Sequence, residues 1–323
     1  GGYTPFSVDI TPFLKQGAQE LLIKVLDPTD DGPQPRGKQV KKPEGIWYTS
    51  VTGIWQTVWL EAVSATHFTA VLPGSDIDRN ALSIETEILG AAAGDILKIH
   101  VSDRGKVITA KTAKPGEKTE FILDKPKRWS PDQPFLYDIN VQLFRDGALL
   151  DEVNTYAALR KISIAPDKNG VQRLMLNNEF LFQLGLLDQG WWPDGLYTAV
   201  SDKALKFDIE QCKAMGFNLL RKHVKLEPAR WYYHCDRLGM LVWQDMPSGD
   251  LGNRWITDAS EEPIDKIRTA ESEGMYKSEL KDMIDALRFF PSIVTWVPFN
   301  EAWGQFKTVE ITRWIMDYDK TRL

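Results

Sequence analysis

Polar and ionisable residues follow four apolar segments in the second half of the sequence. They are Asp188 followed by Trp191-Trp192, then Arg221-Lys222-His223, then Gln244-Asp245, and last Asn300-Glu301 followed by Trp303. If each apolar segment is a strand of one parallel sheet covered by helices, these side chains meet at the carboxyl ends of the strands. The pattern therefore predicts one polar pocket with aromatic walls.

Glu301 is the strongest candidate for chemistry in this pocket. The apolar segment 293–297 leads directly to Asn300-Glu301, which places a carboxyl group at the mouth of the pocket beside Phe299 and Trp303. Apolar surroundings disfavour a charged carboxylate, as a general acid working at neutral pH requires. The same local spacing also suits a helix N-cap or a surface glutamate, and spacing alone leaves these interpretations open.

Tryptophan is abundant, with 12 copies in the chain, and several of them fall in predicted loops. These are Trp191, Trp192, Trp255 and Trp303. A large aromatic face in a loop can stack on the apolar face of a sugar ring, although packing in a core is an equally ordinary role for one tryptophan. The cluster as a whole favours a carbohydrate ligand.

The elements that must position these residues alternate between strand and helix over residues 166–323. Strands are predicted at 181–187, 217–221, 240–243 and 293–297, after a hairpin that turns at Asn177-Asn178. Helices are predicted after each strand, with Ser201-Asp202 as an N-cap and with Gly216 and Gly239 as stops. Apolar strands alternating with helices form a parallel sheet covered by helices. The region therefore predicts the first half of a (β/α)8 TIM barrel.

The first half of the chain is predicted to be all-β. In residues 1–63, short strands are expected at 8–10, 21–25 and 58–63, around a loop rich in Pro, Gly and Asp. In residues 64–165, apolar and polar residues alternate at 82–88, 96–101 and 136–143, with turns at 103–105 and 145–147. Strands at this spacing over about 100 residues indicate an immunoglobulin-like β-sandwich.

Composition and charge exclude several classes of protein. The 323 residues are 43% hydrophobic and 26% charged, which is typical of a globular chain of two or three domains. A net charge of −6 gives no reason to bind nucleic acid or an anionic membrane, and no apolar run approaches the roughly 18 residues of a transmembrane span. The four histidines lack metal-ligand spacing, and no Gly-rich phosphate loop follows a strand, so neither a metal nor a cofactor is predicted.

The segment from Ile293 to Glu301 resembles the acid/base segment of glycoside hydrolase family 2, in which an Asn-Glu pair follows a tryptophan-containing strand. Residues 2–11 and 53–60 look like the later part of that family's sugar-binding jelly roll, and residues 218–223 look like its second barrel strand. The resemblance covers essentially the whole chain. It implies part of a jelly-roll β-sandwich over 1–63, an immunoglobulin-like sandwich over 64–165, and the first half of the catalytic barrel over 166–323.

The resemblance also implies a retaining, exo-acting β-glycosidase that removes terminal β-linked sugars by double displacement. Glu301 would protonate the glycosidic oxygen and later deprotonate the water that releases the sugar. Asn300 would hydrogen-bond the sugar 2-hydroxyl, and Arg221 would orient the nucleophile. The other expected sugar contacts are His223, Asp188, Asp245, Trp192 and Trp303. For the first three of these, ordinary hydrogen bonding within loops is an equal alternative.

Two features depart from the family pattern. Arg288-Phe289-Phe290-Pro291 stands where the family commonly has Asn-His-Pro, which concerns packing more than chemistry. The family nucleophile is a glutamate on the seventh barrel strand, and the predicted elements end at the fourth helix. We therefore expect the nucleophile to lie outside these residues and the 323-residue chain alone to be inactive, with an open sheet edge.

The alternative to an enzyme is a non-catalytic glycan-binding or scaffolding protein that keeps the jelly roll and a degenerate barrel. Both interpretations name a β-glycoside as the partner. They differ in one observation, because only the enzyme turns over an aryl β-glycoside and loses that activity when Glu301 is replaced by glutamine. The sequence leaves open whether the chain forms a homo-oligomer.

Overall fold

A β-sandwich followed by a parallel sheet covered with helices accounts for most of the chain in the computed structural model, which describes residues 2–251, 265–301 and 303–323. Trp255, one of the tryptophans expected in a loop, lies outside the described residues. Among the residues that the structure describes, no helix is both long enough and apolar enough to cross a membrane.

Residues 2–63 carry little regular structure. A 3-10 turn spans Thr11–Phe13, and strands β1 (Gln39–Val40) and β2 (Tyr48–Thr49) pair in parallel. The strands expected at 8–10, 21–25 and 58–63 are not formed in this fully described stretch, so that prediction was wrong. A strand needs a neighbour to pair its backbone and cover its apolar side chains. Here Leu22 and Leu60 are 90% and 80% exposed, so nothing covers these apolar side chains.

Residues 67–157 form two antiparallel sheets that enclose an apolar core. Their strands are β3 (His67–Asp76), β4 (Ala81–Leu89), β5 (Ile96–Asp103), β6 (Lys106–Ala113), β7 (Thr119–Ile122), β8 (Tyr137–Arg145) and β9 (Ala148–Ala157). One sheet has the order β3-β4-β7 and the other β6-β5-β8-β9. Alternate residues of β5 and β8, such as Ile99 and Val141, are fully buried between the sheets. The three strands and both turns expected from the sequence in this region are confirmed.

A small antiparallel sheet connects the sandwich to the second region. It consists of β10 (Ile162–Pro166), β11 (Gln172–Leu176) and β12 (Glu179–Phe180). The predicted hairpin turn at Asn177-Asn178 is confirmed, and both residues have the positive φ (56° and 67°) that asparagine tolerates better than most residues. The Asn177 side chain also donates to the carbonyl of Trp129 at 2.9 Å, which ties the turn to the sandwich side of the molecule.

The second region is a parallel sheet whose strands follow one another in chain order. Its elements are β13 (Gly185–Asp188), α1 (Asp202–Ala214), β14 (Leu219–Lys222), α2 (Ala229–Leu238), β15 (Leu241–Asp245), α3 (Ala270–Leu287), β16 (Ile293–Val297) and α4 (Thr308–Tyr318). The Ser201 hydroxyl accepts from the Ala204 amide at 3.1 Å, as expected of an N-cap, and Gly239 ends α2 at a φ of 74°. This is the alternation predicted for the first half of a barrel, although β13 begins four residues later than expected.

The sheet has an apolar core on each face. Toward the helices, Leu220, Val242 and Trp296 pack among the buried side chains of α1 to α4. On the other face, Leu219, Leu241 and Val294 pack with Trp129 and Ile162. That indole also donates to the carbonyl of Asp236 at 2.8 Å.

Arg160 fastens the sandwich to the sheet. Its guanidinium donates to the carbonyls of Pro291, Ile293 and Thr321 at 2.8 to 3.0 Å. Pro291 and Ile293 lie at the amino end of β16, so the sandwich is attached at that end of the sheet. The carboxyl ends of the strands form the opposite rim.

Candidate functional site

Strand alternation divides the polar residues at the rim between the two faces of the sheet. The register aligns one row of residues across the four strands, Leu187, Arg221, Trp243 and Thr295. The next row is Asp188, Lys222, Gln244 and Trp296. Because consecutive residues of a strand point to opposite faces, the first row faces the inside of the barrel and the second faces the helices.

Arg221, Asp245 and Asn300 form a hydrogen-bonded cluster on the inner face. The Arg221 Nε and Nη2 atoms each donate to one carboxylate oxygen of Asp245 at 2.9 Å, and Nη2 also donates to the Asn300 Oδ1 at 3.0 Å. Two parallel bonds between a guanidinium and a carboxylate fix both groups strongly. The Asp245 side chain is 1% exposed and that of Arg221 is 29% exposed, so the cluster is enclosed at Asp245 and partly open to solvent at Arg221.

His223 belongs to the same cluster. Its Nδ1 lies 3.1 Å from the Asp245 Oδ2, and the amide of Val224 donates to the same oxygen at 3.3 Å. A carboxylate can only accept, so the proton on the ring lies at Nδ1 when this bond is made. Nε2 is then the ring nitrogen available to a ligand. The sequence grouped these residues at the rim, and the structure brings four of the expected site residues together.

Asn300 and Glu301 follow β16 in a tight turn. The amide of Trp303 donates to the Asn300 carbonyl at 2.9 Å, and Glu301 has a φ of 48°, a conformation that costs a residue with a side chain about 1 kcal/mol or more. Because guanidinium groups only donate, the contact with Arg221 fixes the Asn300 amide with its oxygen toward Arg221. The Asn300 Nδ2 group is then the donor left for a ligand. Glu301 is exposed, so the described residues do not provide the apolar enclosure expected from the sequence.

The two tryptophans expected to contact sugar are both packed. Trp303 is 4% exposed, lies edge-on to Trp47 with ring centroids 4.7 Å apart, and has the Arg36 guanidinium 5.9 Å from its centroid. Trp192 is partly buried and makes a backbone bridge with Leu196. Within the described chain, neither indole N–H has a hydrogen-bond partner.

The structure does not bring Asp188 to the inner cluster. It lies in the helix-facing row, where it forms an ion pair with Lys222 at 2.8 Å, and Glu227 pairs with the same ammonium at 2.9 Å. Burial pulls the pKa of Lys222 down, but the two carboxylates outweigh burial and raise that pKa above its ordinary value. Glu227 also pairs with Lys225 at 3.0 Å. Asp188 is therefore part of a buried charge network between sheet and helices.

A loop of the N-terminal region lies over the rim, and we call its residues 35–38 the rim loop. The amides of Arg36 and Gly37 donate to the Ser248 carbonyl at 2.9 and 3.0 Å. Gly37 has a φ of 63°, and a Cβ there would lie 2.5 Å from the Val224 carbonyl oxygen, so only glycine permits this approach. The last residue of the loop, Lys38, is 8% exposed.

The sequence indicated only a breaker-rich loop here and missed the contribution of these residues to the rim. Beyond the rim loop, Tyr48 stacks on Trp191 with centroids 4.4 Å apart, and Trp47 covers the edge of Trp303. The available signal was the pair of cations, Arg36 and Lys38, in a loop of Pro and Gly. Nothing in their spacing pointed to the barrel.

A metal centre is not indicated by the arrangement of side chains. In residues 2–251, 265–301 and 303–323, no three or more His, Cys, Asp or Glu side chains are grouped so that they could hold a metal ion. Both cysteines of the described chain are free thiols, with Cys235 buried and Cys212 partly buried. The chemistry of the rim is thus that of carboxyl, amide, guanidinium and imidazole groups.

Two segments of the chain match one family. Residues 72–160 match the family described as glycosyl hydrolases family 2, and residues 192–323 match glycosyl hydrolases family 2, TIM barrel domain. Together they cover about two thirds of the chain, and the second contains every residue of the inner cluster.

Individual proteins show the same similarity. A β-galactosidase of Thermoanaerobacter pseudethanolicus is 29% identical over 94% of this chain, and β-mannosidase B of Aspergillus terreus is 27% identical over 77%. The chain spans 39% and 29% of the lengths of these curated relatives. The crystal structure of a β-glycosidase from Bacteroides vulgatus superposes with a TM-score of 0.66 at 22% identity, over 86% of this chain and 36% of that one.

Proposed function

The chain belongs to glycoside hydrolase family 2, and on that basis we propose that its protein is a retaining, exo-acting β-glycosidase with Glu301 as the general acid/base. The proposal concerns the whole protein, since the chain spans less than half the length of the relatives named above. The substrates would be terminal β-linked sugars, hydrolysed by double displacement.

The observation that carries the proposal is the fixed orientation of Asn300 beside Glu301 at the carboxyl end of β16. The bond from the Arg221 Nη2 to the Asn300 Oδ1, at 3.0 Å, leaves an amide N–H pair as a donor next to the acid. A sugar hydroxyl adjacent to the reacting carbon needs such a donor, because this contact strengthens as the oxocarbenium-like transition state forms. A glutamate held in a left-handed conformation at the same turn is typical of a functional position.

The residues of the rim would act in a fixed order. Glu301 would give its proton to the glycosidic oxygen as the aglycone leaves, while a second carboxylate bonds to the anomeric carbon. Glu301, now ionised, would take a proton from water as that water displaces the enzyme carboxylate. Arg221 would hold the amide of Asn300 and extend toward the nucleophile, and His223 would offer Nε2 to a sugar hydroxyl. We assign the nucleophile to no glutamate of this chain.

Asp245 would act through the other groups, since its oxygens are occupied by Arg221, His223 and the Val224 amide. Asp188 is left out of the substrate contacts, because its partner is the buried Lys222. Trp192 and Trp303 would act by packing against the residues of the rim. A sugar could stack on either indole only if its present neighbours moved.

The test is the leaving-group dependence of hydrolysis by the protein as its gene encodes it. An aryl β-glycoside with a good leaving group and an alkyl β-glycoside are compared by kcat/KM, which reports the first step, for the natural sequence and for Glu301→Gln. A phenol that leaves readily needs no proton, so the variant should retain far more of its kcat/KM on it than on the alkyl glycoside, where about 10²–10⁴-fold is lost. Glu310→Gln, an exposed glutamate on α4, is the matched control and should leave both rates unchanged.

The outcomes separate the candidate functions. An equal loss of kcat/KM on every substrate would show that Glu301 is not the acid, and a kcat/KM unchanged by Glu301→Gln would refute the mechanism. Sugar binding without any turnover would favour the non-catalytic glycan-binding protein instead.

We also propose the type of each β-region, an immunoglobulin-like sandwich over residues 64–165 and part of a jelly roll over residues 1–63. The sheet orders β3-β4-β7 and β6-β5-β8-β9 support an immunoglobulin-like sandwich, because the third, sixth and seventh strands share a sheet opposite the first, second and fifth. The assignment of residues 1–63 to a jelly roll rests on the resemblance alone. A domain boundary near residue 64 would show as a protease-sensitive site there.

A further inference from the structure

The loop that follows β13 carries two of the tryptophans at the rim, and we call its residues 189–197 the Trp191 loop. The loop doubles back on itself, because Trp192 and Leu196 exchange two backbone hydrogen bonds at 2.8 and 2.9 Å. Trp191 stacks on Tyr48 of the N-terminal region, with ring centroids 4.4 Å apart and an angle of 14° between the planes. Both rings are half-buried, so part of this aromatic wall stays exposed at the rim.

A single buried ammonium, that of Lys225, holds both ends of the Trp191 loop. It donates to the carbonyl of Gly190 at the start of the loop and, at 2.8 Å, to the carbonyl of Tyr197 at its end. Its third partner is the Glu227 carboxylate at 3.0 Å. A lysine ammonium has three N–H donors, so these three acceptors satisfy all of them. The Lys225 side chain is 1% exposed, and charge-assisted hydrogen bonds are strong where water is excluded.

The loop passes so close to this ion pair that no side chain fits at Gly190. Gly190 has a φ of 63°, and a Cβ there would collide with the Glu227 carboxylate and lie 3.0 Å from the Lys225 Nζ. Only glycine permits this approach of the backbone to the two charges. The Gly190 amide also donates to the Asp188 Oδ1 at 2.9 Å, so the start of the loop is fixed to the end of β13 as well.

The backbone of Lys225 is joined to the inner cluster. Its carbonyl accepts from the Gln244 Nε2 at 2.8 Å, and the Gln244 side chain belongs to a fully buried residue. Gln244 immediately precedes Asp245, which holds Arg221. Lys225 therefore connects the cluster, through its backbone, to the Trp191 loop, through its side chain.

We propose that Lys225 is a positioning residue, which fixes the Trp191 loop so that the exposed part of the Trp191–Tyr48 stack forms one wall of the substrate pocket. The inference rests on the proposed function for the location of the sugar. An aromatic ring binds a sugar by covering its apolar face, so loss of the wall should weaken binding and leave proton transfer at Glu301 intact. The alternative is that Lys225 only keeps the barrel folded, which predicts a loss of stability without a change in substrate affinity.

The experiment measures kcat and KM of the protein as its gene encodes it, and of the variants Lys225→Met and Trp191→Ala. The substrate is p-nitrophenyl β-galactoside, β-glucuronide or β-mannoside, whichever the natural protein hydrolyses fastest. Each variant should raise KM about tenfold and change kcat less than about threefold, because a contact made equally in the ground state and the transition state affects binding alone.

Lys213→Met is the matched control. The Lys213 ammonium also bridges two backbone carbonyls, those of Pro131 and Gly239 at 2.7 and 3.1 Å, but Gly239 precedes β15 at the end of the sheet away from the rim. Its loss should lower the melting temperature and leave KM unchanged. Hydrogen exchange followed by mass spectrometry reports on the loop itself, since peptides covering residues 189–197 should exchange at least tenfold faster in Lys225→Met and at the natural rate in Lys213→Met.

A raised KM together with faster exchange in the Trp191 loop would support the inference. An unchanged KM in Lys225→Met, a KM raised equally by Lys213→Met, a kcat lowered more than tenfold, or a loop that exchanges at the natural rate would each overturn it. If Lys225→Met does not fold, Gly190→Ala displaces the loop while keeping both charges, and the same rise in KM is expected.

The proposed function can fail separately. If the natural protein hydrolyses none of the three glycosides, that function is refuted, and the inference is decided by calorimetry with the corresponding methyl β-glycosides. Lys225→Met should then bind about tenfold more weakly than Lys213→Met. Equal affinities, or no binding of any of the three by the natural protein, would overturn the inference too. Hydrolysis with a KM that Lys225→Met leaves unchanged would keep the proposed function and refute the inference alone.

Discussion

Replacing Asp245 by asparagine should disturb the hydrogen bonds of the site strongly while hardly changing the shape of the side chain. Asparagine has the same size, but it removes the charge that receives two bonds from Arg221 and one from His223. Breaking a buried ion pair costs about 3–5 kcal/mol when both partners are enclosed. Since Arg221 is 29% exposed and can be solvated after the change, the lower end applies, and Asp245→Asn should cost about 3 kcal/mol.

The assay is thermal unfolding of Asp245→Asn, Arg221→Met and the double variant. At about 2–4 °C per kcal/mol for a region of this size, the first variant should melt about 6–12 °C lower. The two residues are in direct contact, so the double variant should be less destabilised than the sum of the single variants, with a coupling of about 1–2 kcal/mol. Coupling below about 0.5 kcal/mol would refute the argument that this pair organises the rim.

Sugar binding separates a local effect from a general loss of stability. The sandwich contains an ion pair of the same geometry, in which the Arg145 Nε donates to the Asp95 Oδ1 at 2.7 Å. Asp95→Asn is therefore a matched control that should lower stability and leave sugar binding unchanged. Asp245→Asn should weaken sugar binding even at temperatures where it is fully folded, because Asn300 and His223 lose their fixed orientations. Equal binding by both variants would contradict this.

Two further predictions concern buried charges. Burial raises the pKa of Asp236 to about 7, and hydrogen bonds from Ser292 and Tyr156 only partly oppose it. A folded-state pKa raised above the unfolded value adds stability below about pH 4 that is lost as pH rises to about 7. Asp236→Asn should therefore flatten the fall in unfolding free energy across that window, and an unchanged slope would contradict the assignment. Lys222→Met should cost about 3 kcal/mol by urea unfolding, because it leaves Asp188 without its ion-pair partner and Glu227 with Lys225 alone. The exposed, paired Lys206 is the control, and Lys206→Met should stay within about 0.5 kcal/mol.

Most of the strands and helices after residue 64 could be predicted from the sequence, because the hydrophobic pattern and the capping residues that define them are local. The segment 293–297 is predicted and observed with the same bounds, since an apolar run between a Pro-containing turn and a polar pair is unambiguous. Ser201 and Gly239 fixed helix ends for equally local reasons. The segments that failed, such as 21–25, have strand-like composition but no neighbour to pair with, and pairing is a non-local property.

The alternation of side chains along a strand explains why Arg221 and Asp245 meet on one face of the sheet while Asp188 lies on the other. The second strand was expected to end at Arg221, but it continues through Lys222. Consecutive residues of a strand point to opposite faces, so Arg221 and Lys222 lie on different sides of the sheet although they are neighbours in the sequence. The sequence placed Asp188 and Asp245 at one rim. It did not resolve that Asp188 faces the helices while Asp245 lies with Arg221 on the inner face of the sheet.

The sequence by itself determined the types of group at the rim, a carboxyl, an amide, a guanidinium and an imidazole, because each follows a strand whose apolar pattern is visible over a few residues. Only the tertiary structure decided that Lys38 and Trp47 from the N-terminal region lie over the same rim, through contacts such as that of Gly37 with Ser248. Such contacts join residues about 200 positions apart in the chain. They depend on how whole domains pack, which no short-range periodicity records.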